Sequence, residues 1–150
     1  MKRTFENHSD MFDPQKGYLG FLLRQASHAY HLKMEKCLLE FGLTPAQFTV
    51  LKIISVYQGY SNADIARFAA LTPQTVNLIV SKLVLMQLIL KKDHPENKKV
   101  QCIYLHDTAQ ILLEQATDKI NQIEQGLEES FTTTEIKNVR GWLSKILIDE

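Results

Sequence analysis

The sequence has little of what usually announces a chemistry. Its two cysteines, Cys37 and Cys102, lie far apart and make no C-x-x-C pair, which leaves neither a disulfide framework nor a zinc knuckle. There is no Gly-rich phosphate loop, no carboxylate pair and no nucleophile–base pattern, so an enzyme is the least favoured class. No apolar run approaches the roughly 18 residues of a membrane span. The opening MKRTFENHSDMF has two basic residues with no apolar run behind them, unlike a secretory signal. These absences predict a cytoplasmic protein without a membrane partner. An excess of either charge is also missing. Seventeen Lys and Arg balance seventeen Asp and Glu, so binding to nucleic acid would have to come from local clustering of charge.

What is present is a dense set of helix signals. At 150 residues and 45% hydrophobic, the chain can bury one core, and a single domain over 1–150 is expected. Residues 1–12 read as a mobile arm. Asp13-Pro14 then reads as a helix opening, cap followed by first-turn proline. Leu19, Leu22, Leu23, Ala26, Tyr30, Met34, Cys37, Leu38 and Phe41 recur at helical spacing, which predicts a long first helix to about residue 40, ended by Gly42. In the next helix Thr44 and Gln47 form a capping box, Leu43 and Phe48 a hydrophobic staple, and Val50, Leu51, Ile53 and Ile54 the core stripe.

The same pattern recurs at 60–88, YSNADIARFAALTPQTVNLIVSKLVLMQL. Ser61 and Asp64 make the box, and Tyr60 and Ile65 the staple. Thr72 caps a second helix with Pro73 in its first position. Ile65, Ala69, Leu71, Val76 and Ile79 form the seam of two crossed helices, and small Ala66 lets them approach, as in a helix-turn-helix. Gln74, Thr75, Asn77, Leu78 and Ser81 then face outward, and Lys82 is the basic residue of that helix. The period next changes to extended. Strands over 88–92 and 100–105 enclose the loop 93–99, with Pro95 outside the ladder and Lys98-Lys99 at its exit, which makes a wing.

Helix resumes at Asp107. Leu112, Leu113, Ala116, Ile120, Ile123 and Leu127 form one apolar stripe. Phe131 to Ile136 repeat the staple and box, and Ile136, Val139, Leu143, Ile146 and Leu147 form another, with Trp142 beside it. The helices at 13–41 and 107–150 carry more apolar face than a small winged unit can bury. A helical homodimer interface is the simplest cover. The fold class expected is therefore mainly α with a small two-stranded β-wing, a winged helix-turn-helix over 43–105 with dimerisation helices at both ends.

In this order the chain resembles the MarR family of bacterial transcription regulators over roughly residues 15–148. Leu43-Thr44-Pro45-Ala46-Gln47-Phe48-Thr49-Val50-Leu51, Thr72-Pro73-Gln74-Thr75-Val76 and His94-Pro95-Glu96-Asn97-Lys98-Lys99 carry the resemblance. It implies a dimer bound to a pseudo-palindromic operator in double-stranded DNA, released when a small effector acts at the junction of the dimerisation and DNA-binding parts. Relatives usually have aspartate then arginines where this wing has Asn97, Lys98 and Lys99. They often have arginine at Leu78, and a charged pair and glycine at Leu85-Met86-Gln87.

Under this reading Gln74 and Asn77 are candidates for bidentate contact with adenine, and the methyl of Thr75 or Leu78 for contact with a thymine methyl. Lys91, Lys92, Lys98 and Lys99 form a basic patch, and Ser61, Thr72 and nearby backbone amides could take phosphates. Arg24, His28 and His31 on the first helix could meet a small anionic or phenolic effector, with Arg24 as the carboxylate fork. His28, His31 and Glu35 share a helical face, but no second motif completes a metal shell, so no metal and no cofactor is assigned. Cys37 and Cys102 read as packing residues without an electropositive neighbour. A second function stays open on the neutral charge: an interaction module of the same fold that has lost DNA affinity and pairs with another regulator.

Overall fold

The structure, a computed structural model, describes residues 8–148. Six α-helices and one hairpin follow in the order expected: α1 Leu19–Leu38, α2 Pro45–Val56, α3 Asn62–Ala69, α4 Pro73–Leu85, β1 Ile89–Asp93, β2 Gln101–Leu105, α5 Ala109–Glu128 and α6 Thr133–Ile148. Short 3-10 turns lie at His8–Phe12 and Leu39–Phe41. The part of the expected arm ahead of residue 8 lies outside the described residues.

The start of α1 departs from the sequence reading. Asp13 caps, but it caps a turn: its Oδ1 accepts the N–H groups of Gln15 at 2.8 Å and Lys16 at 3.0 Å, and those bonds hold its carboxyl below its ordinary pKa. The chain then doubles back, with the Gly17 N–H on Asp13 O at 2.8 Å and the Tyr18 N–H on Met11 O at 2.8 Å. A Cβ at Gly17 would lie 2.5 Å from both carbonyl oxygens, so no side chain fits there. The cap and proline mark a corner, and the helix waits until Leu19, when the corner is complete.

At α2, α3 and α4 the local signals fix the helix start. Thr44 accepts the Gln47 N–H at 3.2 Å, and the Gln47 side chain returns to the Thr44 N–H at 3.0 Å. That bond satisfies the buried polar side chain of Gln47. Ser61 and Asp64 repeat the box at 3.2 and 3.0 Å. The Ser61 bonds, with the Arg67 guanidinium, hold the Asp64 carboxyl below its ordinary range. Thr72 accepts the Thr75 N–H at 3.2 Å, with Pro73 in the first helical turn. Helices α3 and α4 cross at 115°. Ala70 makes the corner in left-handed conformation at φ 52°, its N–H bonded to the carbonyls of Ala66 and Arg67.

One core joins these elements. Leu38, Leu51, Ile54, Ile65, Val76, Val80, Leu83 and Ile103 are almost wholly buried, and Ala66 is small and buried where α3 meets α4. Burying such aliphatic side chains stabilises by about 1.5–3 kcal/mol each before chain entropy is counted. The hairpin is antiparallel, with Leu90 opposite Tyr104 and Lys92 opposite Cys102. Its root has a support not read from the sequence. The Gly59 N–H donates to Ile103 O at 2.8 Å, the Ile103 N–H to Tyr60 O at 3.0 Å, and the Leu105 N–H to Gln58 Oε1 at 2.9 Å. The α2–α3 connection thus lies along β2 as an extra edge.

The terminal helices behave differently. On α5, Ala109, Leu113, Ala116 and Ile120 are buried against the winged unit, but Leu127 is exposed. The Tyr30 hydroxyl of α1 donates to Glu124 of α5, and burial followed by the Glu124 carboxylate pushes its pKa well up. Helix α6 has no buried residue: Val139, Trp142, Leu143, Ile146 and Leu147 all remain exposed. No single helix among the described residues is long and apolar enough to cross a membrane.

Candidate nucleic-acid interface

Because Val76, Ile79, Val80 and Leu83 turn inward, α4 shows its opposite face. Gln74, Asn77, Leu78, Ser81 and Lys82 stand exposed on it, and Leu78 is a leucine left 67% accessible in the middle of a polar row. Thr75 is half-buried, and its hydroxyl is paired with that of Thr72 at 2.8 Å. The Ser61 hydroxyl is likewise engaged, accepting the Asp64 N–H and donating to Asp64 Oδ2 at 2.8 Å. One more partner is invisible to sequence reading. The Asn62 amide, from the first turn of α3, donates to Asn77 Oδ1. Fifteen residues of separation and the crossing of two helices bring that pair together, which no local spacing encodes.

The wing presents its lysines in two groups. Consecutive strand residues point to opposite faces, so Lys91 and Lys92 do not form one patch with each other. Lys92 Nζ sits 5.1 Å from the centroid of the Tyr104 ring, a cation–π placement. Lys98 and Lys99 lie exposed at the loop tip. Asn97 orders that tip: its Oδ1 accepts the Lys99 N–H at 3.1 Å and its carbonyl the Val100 N–H at 2.9 Å. A neutral asparagine thus shapes the turn through backbone bonds. Among the described residues, no carboxylate forms an ion pair with Lys82, Lys91, Lys92, Lys98 or Lys99.

Arg24, His28 and His31 are exposed along α1. Among the described residues, no His, Cys, Asp and Glu group could hold a metal ion, and His28, His31 and Glu35 do not converge. A cavity lies farther along the same helix. It is open, about 540 Å³, and lined by Lys33, Lys36, Cys37 and Glu40 of α1 and Lys119, Gln122, Ile123 and Gly126 of α5. Each helix contributes positions i, i+3, i+4 and i+7, a pattern visible in the sequence once the two helices are known to pair. Cys37 and Lys119 line this cavity from opposite helices. Lys119 also pairs with Glu40 at 3.7 Å. Cys102 is buried in β2.

Two crossed helices, α3 and α4, followed by a hairpin rooted on the α2–α3 connection define a winged helix-turn-helix. Residues 43–100 match the model of the MarR family. An HTH-type transcriptional repressor of Mycobacterium tuberculosis is 35% identical over 65 residues, 43% of this chain and 47% of that protein. The match thus spans about half the length of this curated relative. The fold extends further. The S. aureus MepR–DNA complex superposes with a TM-score of 0.84 at 24% identity, covering 89% of this chain and 98% of that one. Bordetella bronchiseptica BpsR, whose DNA binding is regulated by 6-hydroxynicotinic acid, gives 0.83 at 21% identity, covering 97% and 99%.

Proposed function

We propose that this chain is a DNA-binding transcriptional regulator, a repressor that acts as a homodimer on a pseudo-palindromic operator and responds to a small anionic effector. The observation that carries the reading is the outward face of α4. Its polar row of Gln74, Asn77, Ser81 and Lys82 surrounds an uncovered Leu78, with a lysine-tipped wing beside it. A leucine there suits a thymine methyl, and the amides suit base edges in the major groove. Lys98 and Lys99 reach toward the flanking backbone or minor groove. With Thr72, Thr75 and Ser61 committed to capping, phosphate binding at these helix starts falls to their backbone N–H groups.

The neighbours support the same reading. MepR is seen on DNA, and the half-covered relative is a repressor. Homodimerisation is supported by the apolar face of α6, which this chain leaves exposed. For the effector, the cavity between α1 and α5 is favoured over the Arg24, His28 and His31 surface. It places Lys33 and Lys36, with a Lys119 that pairs with Glu40, beside the apolar side of Ile123, a lining suited to an aromatic carboxylate.

Anisotropy titration with a library of short duplexes, including the region upstream of the protein's own gene, at two salt concentrations tests the reading. The expected result is nanomolar to micromolar binding that weakens steeply with salt. Absence of binding at low salt would leave the interaction-module alternative. Changing Lys98 and Lys99 together to alanine is expected to weaken binding to every duplex. It should also flatten the log–log salt slope by about 2, close to 0.9 for each phosphate that is no longer neutralised. An unchanged slope would remove the wing from the interface.

A further inference from the structure

The pair Asn62–Asn77 joins the reading helix to the helix behind it. Asn77 is exposed on α4, and its Oδ1 accepts from the Asn62 amide of α3. The other end of the Asn62 side chain has an unusual environment. Its Oδ1 is buried and is the buried side-chain oxygen or nitrogen without a hydrogen-bond partner among the described residues. A buried, unpartnered carbonyl is unfavourable, and such groups are rare enough that each calls for a reason. Alanine at this first-turn position would avoid the penalty. What asparagine adds is the bond to Asn77.

That bond changes what Asn77 can read. A carboxamide has one oxygen that accepts and one nitrogen that donates twice. Bidentate recognition of adenine uses both, the oxygen for the N6 amino group and the nitrogen for N7. With its oxygen turned toward α3, Asn77 offers the groove its NH2 alone. We propose that Asn62 is a positioning residue that sets Asn77 as a donor-only reader. In that state Asn77 selects base edges that accept in the major groove and rejects cytosine, whose edge there presents only the N4 donor. The inference rests on the DNA-binding reading above and assigns a base-discriminating role to a residue that need not touch DNA.

Two substitutions invert the consequence in different directions. Asn62→Ala frees both ends of the Asn77 amide, restoring the bidentate option, and removes the buried carbonyl. Asn62→Asp supplies an acceptor in place of the donor. The Asn77 amide then turns over, donates to the introduced carboxylate and shows its oxygen to the groove, which favours adenine and cytosine as donor edges.

The test is selection of duplexes from a randomised library by the full-length protein and both variants, with melting curves to verify that each is folded. Wild type is expected to exclude cytosine at the base pair under Asn77. Asn62→Ala should gain adenine there by about tenfold, and Asn62→Asp should admit cytosine and lose guanine by a similar factor. In the DNA-free protein, the Asn62 side-chain amide should exchange slowly, and faster in Asn77→Ala, by NMR. A merely structural Asn62 would move melting and leave base preference alone. Retention of the wild-type preference at every position by both folded variants overturns the inference while leaving DNA binding intact. Failure of wild type to select any sequence overturns both.

Discussion

Helices α2 and α6 carry apolar stripes at the same helical spacing and start from equally complete capping boxes, yet α2 buries seven of its twelve residues and α6 buries none of its sixteen. The Thr132–Glu135 box, at 3.2 and 2.7 Å, has the same reciprocal bonds as Thr44–Gln47. The difference is therefore not in the grammar of the helix ends. Caps decide where a helix begins, whereas burial depends on which other elements return to cover it. The winged unit is closed by its own chain: α3, α4, β2 and α5 all converge on α2. Nothing among the described residues converges on α6 in the same way.

The largest expected effect lies in the closed unit. Ile65→Ala removes a fully buried side chain from the α3–α4 seam and should cost about 2–5 kcal/mol in urea denaturation, with loss of any DNA binding. Leu143→Ala, at 36% exposure in one chain, should cost far less in a dilute monomer. A large loss there would mean that α6 is covered even in isolation, and the contrast would fail.

Next in size is the association of the open surface. Leu143→Asp combined with Ile146→Asp should weaken dimerisation by at least about 30-fold in sedimentation, the scale of a ~2 kcal/mol hot spot, while far-UV circular dichroism retains the helices. If the doubly substituted chain still sediments as a dimer, α6 is not the interface.

Removing one cap from each region sharpens the comparison further. Ser61→Ala should lower global stability by about 1 kcal/mol, because α3 is bound into the core. Thr132→Ala should leave the global transition nearly unchanged and raise amide exchange only in the first turn of α6. A smaller gain is expected at Gln87, which sits in left-handed conformation at φ 59°. Gln87→Gly should stabilise by up to about 1 kcal/mol, the relief of a Cβ in that region set against glycine's entropy. Acid gives the smallest effect. Asp64 and Glu135 are both held below their ordinary values of 3.8 and 4.5, chiefly by the backbone N–H groups they cap. Because the folded values are the lower ones, that stabilisation is present at neutral pH and is lost only as pH falls below those values. Thermal melts from pH 7 to pH 3 should show it, and the substitutions Asp64→Asn and Glu135→Gln should flatten the acid limb.

Much of the fold is legible because its signals are local. A Ser–Asp or Thr–Gln pair three residues apart fixes a helix start wherever the rest of the chain goes, and a change from period 3.6 to period 2 marks the wing. The sequence places the start of the first helix too early because Asp13-Pro14 serves a turn as well as it serves a helix. The candidate site is legible in outline, as the outward face of α4 and the lysines of the loop. The finer chemistry is not. The Asn62–Asn77 bond, the Lys92–Tyr104 contact and the Lys119–Glu40 ion pair each need two elements to be docked. The polar stripe Lys33, Lys36, Cys37 and Glu40 is visible on its own, but nothing marks it off from Arg24, His28 and His31 until α5 supplies its other wall.

The three hydrogen bonds that tie Gln58, Gly59 and Tyr60 to β2 make the wing and the reading helix one lever arm. A wing hung only on its own hairpin could tilt while α4 stayed in place. Here a tilt would strip the α2–α3 connection from the sheet, so the wing is coupled to the unit that carries α4.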